Sequence, residues 1–382
     1  MNFFLTGVET NNKGAELMLY AILQEIERKF PGSTLYIEQG RCKQGASYVQ
    51  TPLSFEVLVN KREIWRSRLF RYTKLASIYR ILHRPQPKFY TRIPKVDYMI
   101  DGSGFHFSDQ MHAGQIRPYW KSLLRQAKKR GAKIVFLPQA FGPVEHEDTK
   151  EAVGLLSKYA DLICAREQVS FDYLQKSGAC DMSKVKVFTD FTSLVEPSCP
   201  KEYEHLAGGV CVIPNMQMVN KGVLTMDAYL SYIQKIVDEA SHCGRKVYLL
   251  NHQGAVDEIL LTACRERMKD IECISGLNAL DTKGLISTAY AVITSRFHGL
   301  ASSLNSCIPS LATSWSHKYQ CLFEDYGQKG GVLSLTDIET DMSEIRKILD
   351  PENNAEIRRQ LSERIPEIKE QNRKMWETVW SL

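Results

Sequence analysis

Ser295-Arg296-Phe297-His298-Gly299 closes a continuous apolar run, AVIT, and opens a stretch of small residues, GLASSLNS. A helix that starts there directs unpaired backbone amides and a positive partial charge at whatever lies beyond the strand. Arg296 adds a full positive charge, and His298 adds a proton donor of tunable pKa. These residue types suit recognition of a dianion with a proton at hand. An arginine buried for structure alone is costly unless it is paired. Gly299, Ala301, Ser302 and Ser303 are small enough for the helix to pack closely on a sheet.

Three further polar clusters follow apolar runs. VETNNKGAE places Asn11, Asn12 and Glu16 around Gly14. These are hydrogen-bonding groups of the kind a sugar engages, and the glycine permits close backbone approach. The plain alternative is a strand–helix turn with Asn or Lys near its N-cap. DGSGFHFSD offers Asp101, Ser103 and His106 on a flexible turn, where a histidine also serves as an ordinary loop or core residue. ICAREQ sets Arg166 at the end of a strand-like run. Its fixed fork of donors suits a carboxylate or phosphate, or an ion pair with Glu167 or another acid.

The elements that must hold these clusters are short apolar strands alternating with runs of helical periodicity. That alternation predicts parallel sheets wrapped by helices. The stretch 190–208 lacks periodicity, carries two prolines and reads as a linker. The expected architecture is α/β: two Rossmann-like domains, at 1–195 and 205–345, with parallel sheets facing a central cleft. A C-terminal helical segment occupies 346–382. In such sheets ligands bind beyond the carboxyl ends of the strands, where the polar clusters fall.

Composition narrows the function class. A chain of 382 residues exceeds what one core usually spans. Its 43% hydrophobic and 24% charged residues are those of an ordinary soluble globular protein. The opening apolar run is too short for a signal peptide, and no stretch approaches the roughly 20 apolar residues of a membrane span. The ten cysteines show no CxxC pair and no metal-like spacing with histidine. Cys164 and Cys211 sit inside apolar runs. We read the cysteines as reduced thiols of a cytoplasmic protein that needs no metal or other cofactor.

The net charge of +5 is local in origin, since Lys61 to Arg92 carries ten Lys/Arg and one acid, Glu63. Cations there interleave with Trp65, Leu69, Phe70 and Tyr72, which suits peripheral contact of segment 61–92 with an anionic membrane, on the inner face of the cell membrane. A solvated basic helix or a loop beside the cleft is the plainer reading. No nucleic-acid fold signature accompanies the segment, so no nucleic-acid partner is expected.

The strand–NNKGAE–helix, DGSG, FLPQAFGP, CARE, FTDF and SRFHGLASSLNSCIPSLATSW, in that order, resemble the polysaccharide pyruvyl transferases over roughly residues 2–330. That family has two Rossmann-like domains in the manner of GT-B glycosyltransferases. The resemblance implies a first domain on the acceptor side and a second on the donor side. It implies transfer of the pyruvyl group of phosphoenolpyruvate onto a sugar of a cell-surface polysaccharide precursor, such as capsule or exopolysaccharide, lipid-linked in one form. A ketal forms on two hydroxyls and phosphate leaves.

By position, Arg166, Arg296 and His298 would hold the donor's phosphate and carboxylate. His298 would act as general acid, while Asp190 in FTDF would orient a hydroxyl or act as base. Asn11, Asn12, Glu16, Asp101, Ser103 and His106 would face the acceptor. The chemistry fits: protonating the enol methylene leaves an oxocarbenium-like centre for a hydroxyl to capture, and cations help phosphate depart. Two other readings stay open. A nucleotide-sugar-dependent GT-B glycosyltransferase shares the fold but wants an acid that grips a ribose. A non-catalytic sugar-binding assembly factor would not need Arg166, Arg296 and His298 together.

Overall fold

A computed structural model describes residues 1–38, 53–60, 88–90, 92–314 and 317–382. By its contacts the chain divides into two compact units. The first comprises Met1–Asn11, Met18–Phe191 and Gln371–Leu382, and the second Asn12–Leu17 and Thr192–Glu370.

In the first unit, β1 (Asn2–Thr6), β2 (Thr34–Glu38), β3 (Ser54–Asn60), β4 (Lys88–Tyr90), β5 (Tyr98–Asp101), β6 (Lys133–Gln139), β7 (Leu162–Ala165) and β8 (Val185–Val187) form one parallel sheet. Its order is β4-β3-β2-β1-β5-β6-β7-β8, so the direction of winding reverses between β1 and β5. Phe4 of β1 registers with Tyr36 on one side and Met99 on the other. Strands β5 and β7 are buried at every position, the pattern of parallel strands covered on both faces. Helices α1 (Lys13–Lys29, of which the residues to Leu17 belong to the second unit), α2 (Ala113–Lys129), α3 (Glu147–Tyr159) and α4 (Gln168–Ser177) follow β1, β5, β6 and β7. Phe107, Trp120, Phe136 and Phe141 fill a core between sheet and helices, with Phe107 and Trp120 ring centres 5.6 Å apart.

In the second unit, β9 (Val210–Ile213), β10 (Val247–Leu250), β11 (Glu272–Ile274), β12 (Ala291–Thr294), β13 (Ser310–Thr313) and β14 (Val332–Leu333) form a parallel sheet in the order β11-β10-β9-β12-β13-β14. Here the winding reverses between β9 and β12. The helices are α5 (Gln217–Asn220), α6 (Met226–His242), α7 (Gly254–Arg267), α8 (Ala279–Ser287), α9 (Phe297–Asn305), α10 (Lys318–Asp325), α11 (Ile338–Leu349) and α12 (Pro351–Trp380). Local capping fixes several starts: Thr225 Oγ1 accepts from the Ala228 amide at 3.2 Å, and Asn278 Oδ1 from the Asp281 amide at 2.9 Å. The start of α9 has no side-chain cap of this kind.

The α/β architecture with two parallel sheets is the one the alternating pattern predicts. Three strands escaped that reading. β3 carries Glu56 inside a mixed polar and apolar stretch, and β4 and β14 have only three and two residues. The C-terminal segment is divided between the units by what its apolar residues touch. Leu361, Ile365 and Ile368 of α12 pack with α9 and α10 residues. Trp376 and Trp380 instead pack in the first unit, Trp376 edge-on to Phe191 and Trp380 edge-on to Phe3, Phe30 and Tyr98. The expected membrane-contact segment falls at 61–87 and 91 outside the described residues, and its 88–90 form β4. Among the described residues, no helix is long and apolar enough to cross a membrane.

Candidate functional site

The reversal between β9 and β12 creates the place where a ligand of an open parallel sheet is expected. Ser295 and Arg296 leave β12 there and lead into α9. The backbone is fixed from beneath: the Ser295 carbonyl accepts from Asn215 Nδ2 at 2.9 Å and from the Tyr319 hydroxyl at 2.8 Å. Ser295 Oγ hydrogen-bonds the Tyr229 hydroxyl at 2.7 Å and also meets Thr313 Oγ1. Burial pushes the Tyr229 phenol up to about 12, so it stays a neutral hydrogen-bonding post.

On that support Arg296 is 8% exposed and its side chain is paired. Its Nε donates to Asp257 Oδ2 at 3.0 Å, Nη2 donates to Asp257 Oδ1 and Nη1 to Gln253 Oε1. Asp257, fully buried in the first turns of α7, also accepts from the Met216 amide at 3.1 Å. This fork on a carboxylate answers the cost of burying the guanidinium. Among the described residues, three of its five N–H donors are used, and the other two sit on Nη1 and Nη2.

Two histidines and the start of α1 complete the cluster. His252 follows β10, is 3% exposed, and its Nδ1 has no hydrogen-bond partner among the described residues. Burial first, and then the charges of Arg296, His298 and Lys13, push its imidazole well below the ordinary 6.5. The His252 carbonyl accepts from the Lys13 amide at 3.1 Å. Asn12 Oδ1 takes the Gly14 amide at 2.9 Å, and Lys13 Nζ reaches Glu16 Oε2 at 2.7 Å. Burial raises the Glu16 carboxyl against the pull of that lysine. A Cβ built on Gly14 would lie 2.3 Å from His298 Nδ1, so the imidazole rests on this glycine. The Phe297 ring stands edge-on to it at 5.2 Å.

In the first unit the corresponding reversal holds Asp101, which is fully buried. Its Oδ2 accepts from Thr6 Oγ1 and Ser103 Oγ, each at 2.9 Å, and its Oδ1 from the Ser103 amide at 3.2 Å and Gln139 Nε2 at 3.4 Å. Burial raises this carboxyl, while nearby His106 and the hydrogen bonds from Ser103 and Thr6 draw it back. Gly7, at φ +72°, brings β1's loop so close that a Cβ would lie 2.1 Å from Ser103 Oγ. The same unit brings Arg166 and Asp190 together, with Nη1 3.9 Å from Oδ2. Arg166 Nε is also 3.4 Å from Glu167 Oε2, the ion pair that the plain reading of CARE anticipates. Asp190's carbonyl accepts from Asn372 Nδ2 at 3.0 Å.

Thus the structure joins Arg296, His298, Asn12 and Glu16 in the second unit, and Arg166 with Asp190 and Asp101 with Ser103 in the first. Asn11 and His106 are half-buried there. Sequence reasoning missed Asp257, Gln253 and His252. The available signal was NHQGAVDE itself, a polar cluster directly after the apolar run YLL. Buried Cys164, Cys211 and Cys264 behave as small hydrophobes, with burial pushing the Cys211 and Cys264 thiols up to about 12.

The profile of a family described as polysaccharide pyruvyl transferase matches residues 12–317. No curated protein matches the sequence. Among solved structures, the Anabaena protein HepE in complex with UDP-glucose is similar, with a TM-score of 0.60 at 14% identity and all of both chains covered. A UDP-N-acetylglucosamine 2-epimerase described as putative, from Listeria monocytogenes, gives 0.56 at 12% identity, over 95% of this chain and 90% of that one. The Methanocaldococcus jannaschii UDP-GlcNAc 2-epimerase in complex with UDP-GlcNAc and UDP gives 0.54 at 10% identity, over 92% and 94%. At these identities the likeness is one of fold, the two-sheet GT-B type.

Proposed function

We propose, from the premise that the chain belongs to the polysaccharide pyruvyl transferase family, that it moves the pyruvyl group of phosphoenolpyruvate onto two hydroxyls of a polysaccharide-precursor sugar. The observation that carries this reading is the buried Arg296, set at an uncapped helix start with His298 two residues on. The two N–H donors of Arg296 left over from Asp257 and Gln253, together with the α9 amides, suit a phosphate or carboxylate. His298 supplies a proton to the donor's methylene. A sugar hydroxyl then bonds to the cationic carbon, the C–O bond to phosphate breaks, and a second hydroxyl closes the ketal. Of the two hydroxyl protons lost, one balances the proton gained by the new methyl group and the other leaves with phosphate. No electrons are exchanged with a further reactant.

In the first unit, Arg166 is proposed as a further donor-anion group and Asp190, 3.9 Å from it, as the group that orients a hydroxyl or takes its proton. Asp101 and Ser103 spend their hydrogen bonds on one another, so they shape the acceptor loop and His106 is its contact group. Asn12 and Glu16 are likewise engaged within their own turn, which leaves Asn11 as its acceptor contact. A lipid-linked acceptor would give segment 61–92 a purpose. Vesicles containing anionic lipid should then retain the protein, and neutralising the segment's lysines and arginines should release it.

The test is release of phosphate from phosphoenolpyruvate in the presence of candidate acceptor sugars, with the sugar product examined for a pyruvyl ketal. His298→Ala should lower the rate by about 10²–10⁴-fold, the usual worth of a general acid. The HepE and Methanocaldococcus jannaschii structures are complexes with UDP-glucose and with UDP-GlcNAc and UDP, so turnover of a UDP-sugar, with phosphoenolpyruvate inert, would replace this reading by glycosyl transfer.

A further inference from the structure

We infer that Gly14 is a positioning residue for His298: the NNKG turn exists in this form to seat the imidazole. The inference rests on the reading that His298 transfers the proton. Gly14 lies in the first turn of α1, where a glycine is among the poorest helix formers and alanine would favour the helix. Its presence is explained by space. A Cβ there would lie 2.3 Å from His298 Nδ1, 2.8 Å from its Cγ and 3.1 Å from its Cβ.

Neither backbone is placed to yield. The start of α1 is held by the Lys13 amide on the His252 carbonyl at 3.1 Å, by the Gly14 amide on Asn12 Oδ1 at 2.9 Å, and by the Glu16 amide on the Asn12 carbonyl at 2.9 Å. The start of α9 is held by the Arg296 amide on Thr294 Oγ1 at 3.0 Å and by the Arg296 fork on Asp257. With both anchored, an added methyl must turn the imidazole, and Phe297 already stands edge-on to that ring. The glycine therefore fixes where the proton is delivered and need not touch the donor. This gives the NNKG turn a role beside the proposed proton donor, distinct from contact with a sugar.

A double-mutant cycle tests it. Gly14→Ala should lower kcat for phosphate release on the order of 10²-fold, as a misplaced reacting group does, while the KM for phosphoenolpyruvate changes little. Gly14→Ala should also lower the unfolding midpoint. In a His298→Ala background, where the two nearest atoms are gone, the same substitution should cost neither activity nor midpoint. Costs that add in full, or an unchanged kcat in Gly14→Ala, would overturn the inference. The midpoint cycle needs no substrate. If the unsubstituted protein releases no phosphate, the transferase reading fails, and the midpoint cycle still decides whether Gly14 acts through His298.

Discussion

The two sheets place opposite charges at the same topological position. Where winding reverses between β1 and β5, the buried group is the carboxylate of Asp101, and beyond β12 it is the guanidinium of Arg296. Asp101 is enclosed by donors from Thr6, Ser103 and Gln139, which tie the carboxyl ends of β1, β5 and β6 and the loop after β5 to one another. Arg296 is anchored on Asp257 and Gln253 but keeps two N–H donors, beside an uncapped helix start and His298. The position in the sheet selects the loops. Counting which hydrogen bonds are already used separates the pair: Asp101 is consumed by its own fold, while Arg296 has capacity for an anion.

Breaking the anchor should produce the largest effect. Asp257→Ala leaves a buried guanidinium without its counter-charge and should cost about 3–5 kcal/mol in denaturant unfolding. Replacing both partners, with Arg296→Met and Asp257→Leu, should cost clearly less while abolishing the anion site. A small loss in the single variant would mean that the guanidinium is not sealed as described.

Asp101→Ala comes next. It strands the hydroxyls of Thr6 and Ser103 and the Gln139 amide, at about 1–3 kcal/mol, with phosphoenolpyruvate affinity kept. Equal damage to affinity would erase the distinction between the two reversals.

The smallest effect is on pH dependence. Folding holds the His252 imidazole well below its ordinary 6.5, so as pH falls through 6.5 the unfolded chain takes the proton first and stability declines. His252→Gln should flatten that acid-side decline. Asp101 has the opposite sign: its carboxyl is raised above 3.8, so its contribution is lost as pH rises from there. Measuring both variants from acid to neutral pH would separate the two slopes.

Much of the fold was legible because parallel strands, covered on both faces, read as continuous apolar runs that stop at polar clusters. AVIT ending at SRFHG and LICA ending at RE are the clearest cases. β3 was not, since a glutamate and flanking polar residues interrupt its short apolar run. The local partner of Arg166, Glu167, could be named from sequence, being its neighbour. The partner of Arg296 lies 39 residues away at the start of another helix, and no periodicity links the two. The NNKGAE turn reads as an appendage of the first strand, yet its hydrogen bonds and close contacts run to His252 and His298. Chemistry carried by such long-range pairing becomes visible only once strand order is known.

The most direct test compares thermal unfolding with phosphoenolpyruvate and with UDP-glucose, in the unsubstituted protein and in the Arg296→Met, Asp257→Leu variant. A ligand at about 100 times its dissociation constant adds roughly 2.7 kcal/mol, a readily resolved shift. We expect phosphoenolpyruvate to raise the midpoint of the unsubstituted protein alone, with UDP-glucose inert. A midpoint raised by UDP-glucose and indifferent to phosphoenolpyruvate would contradict the account.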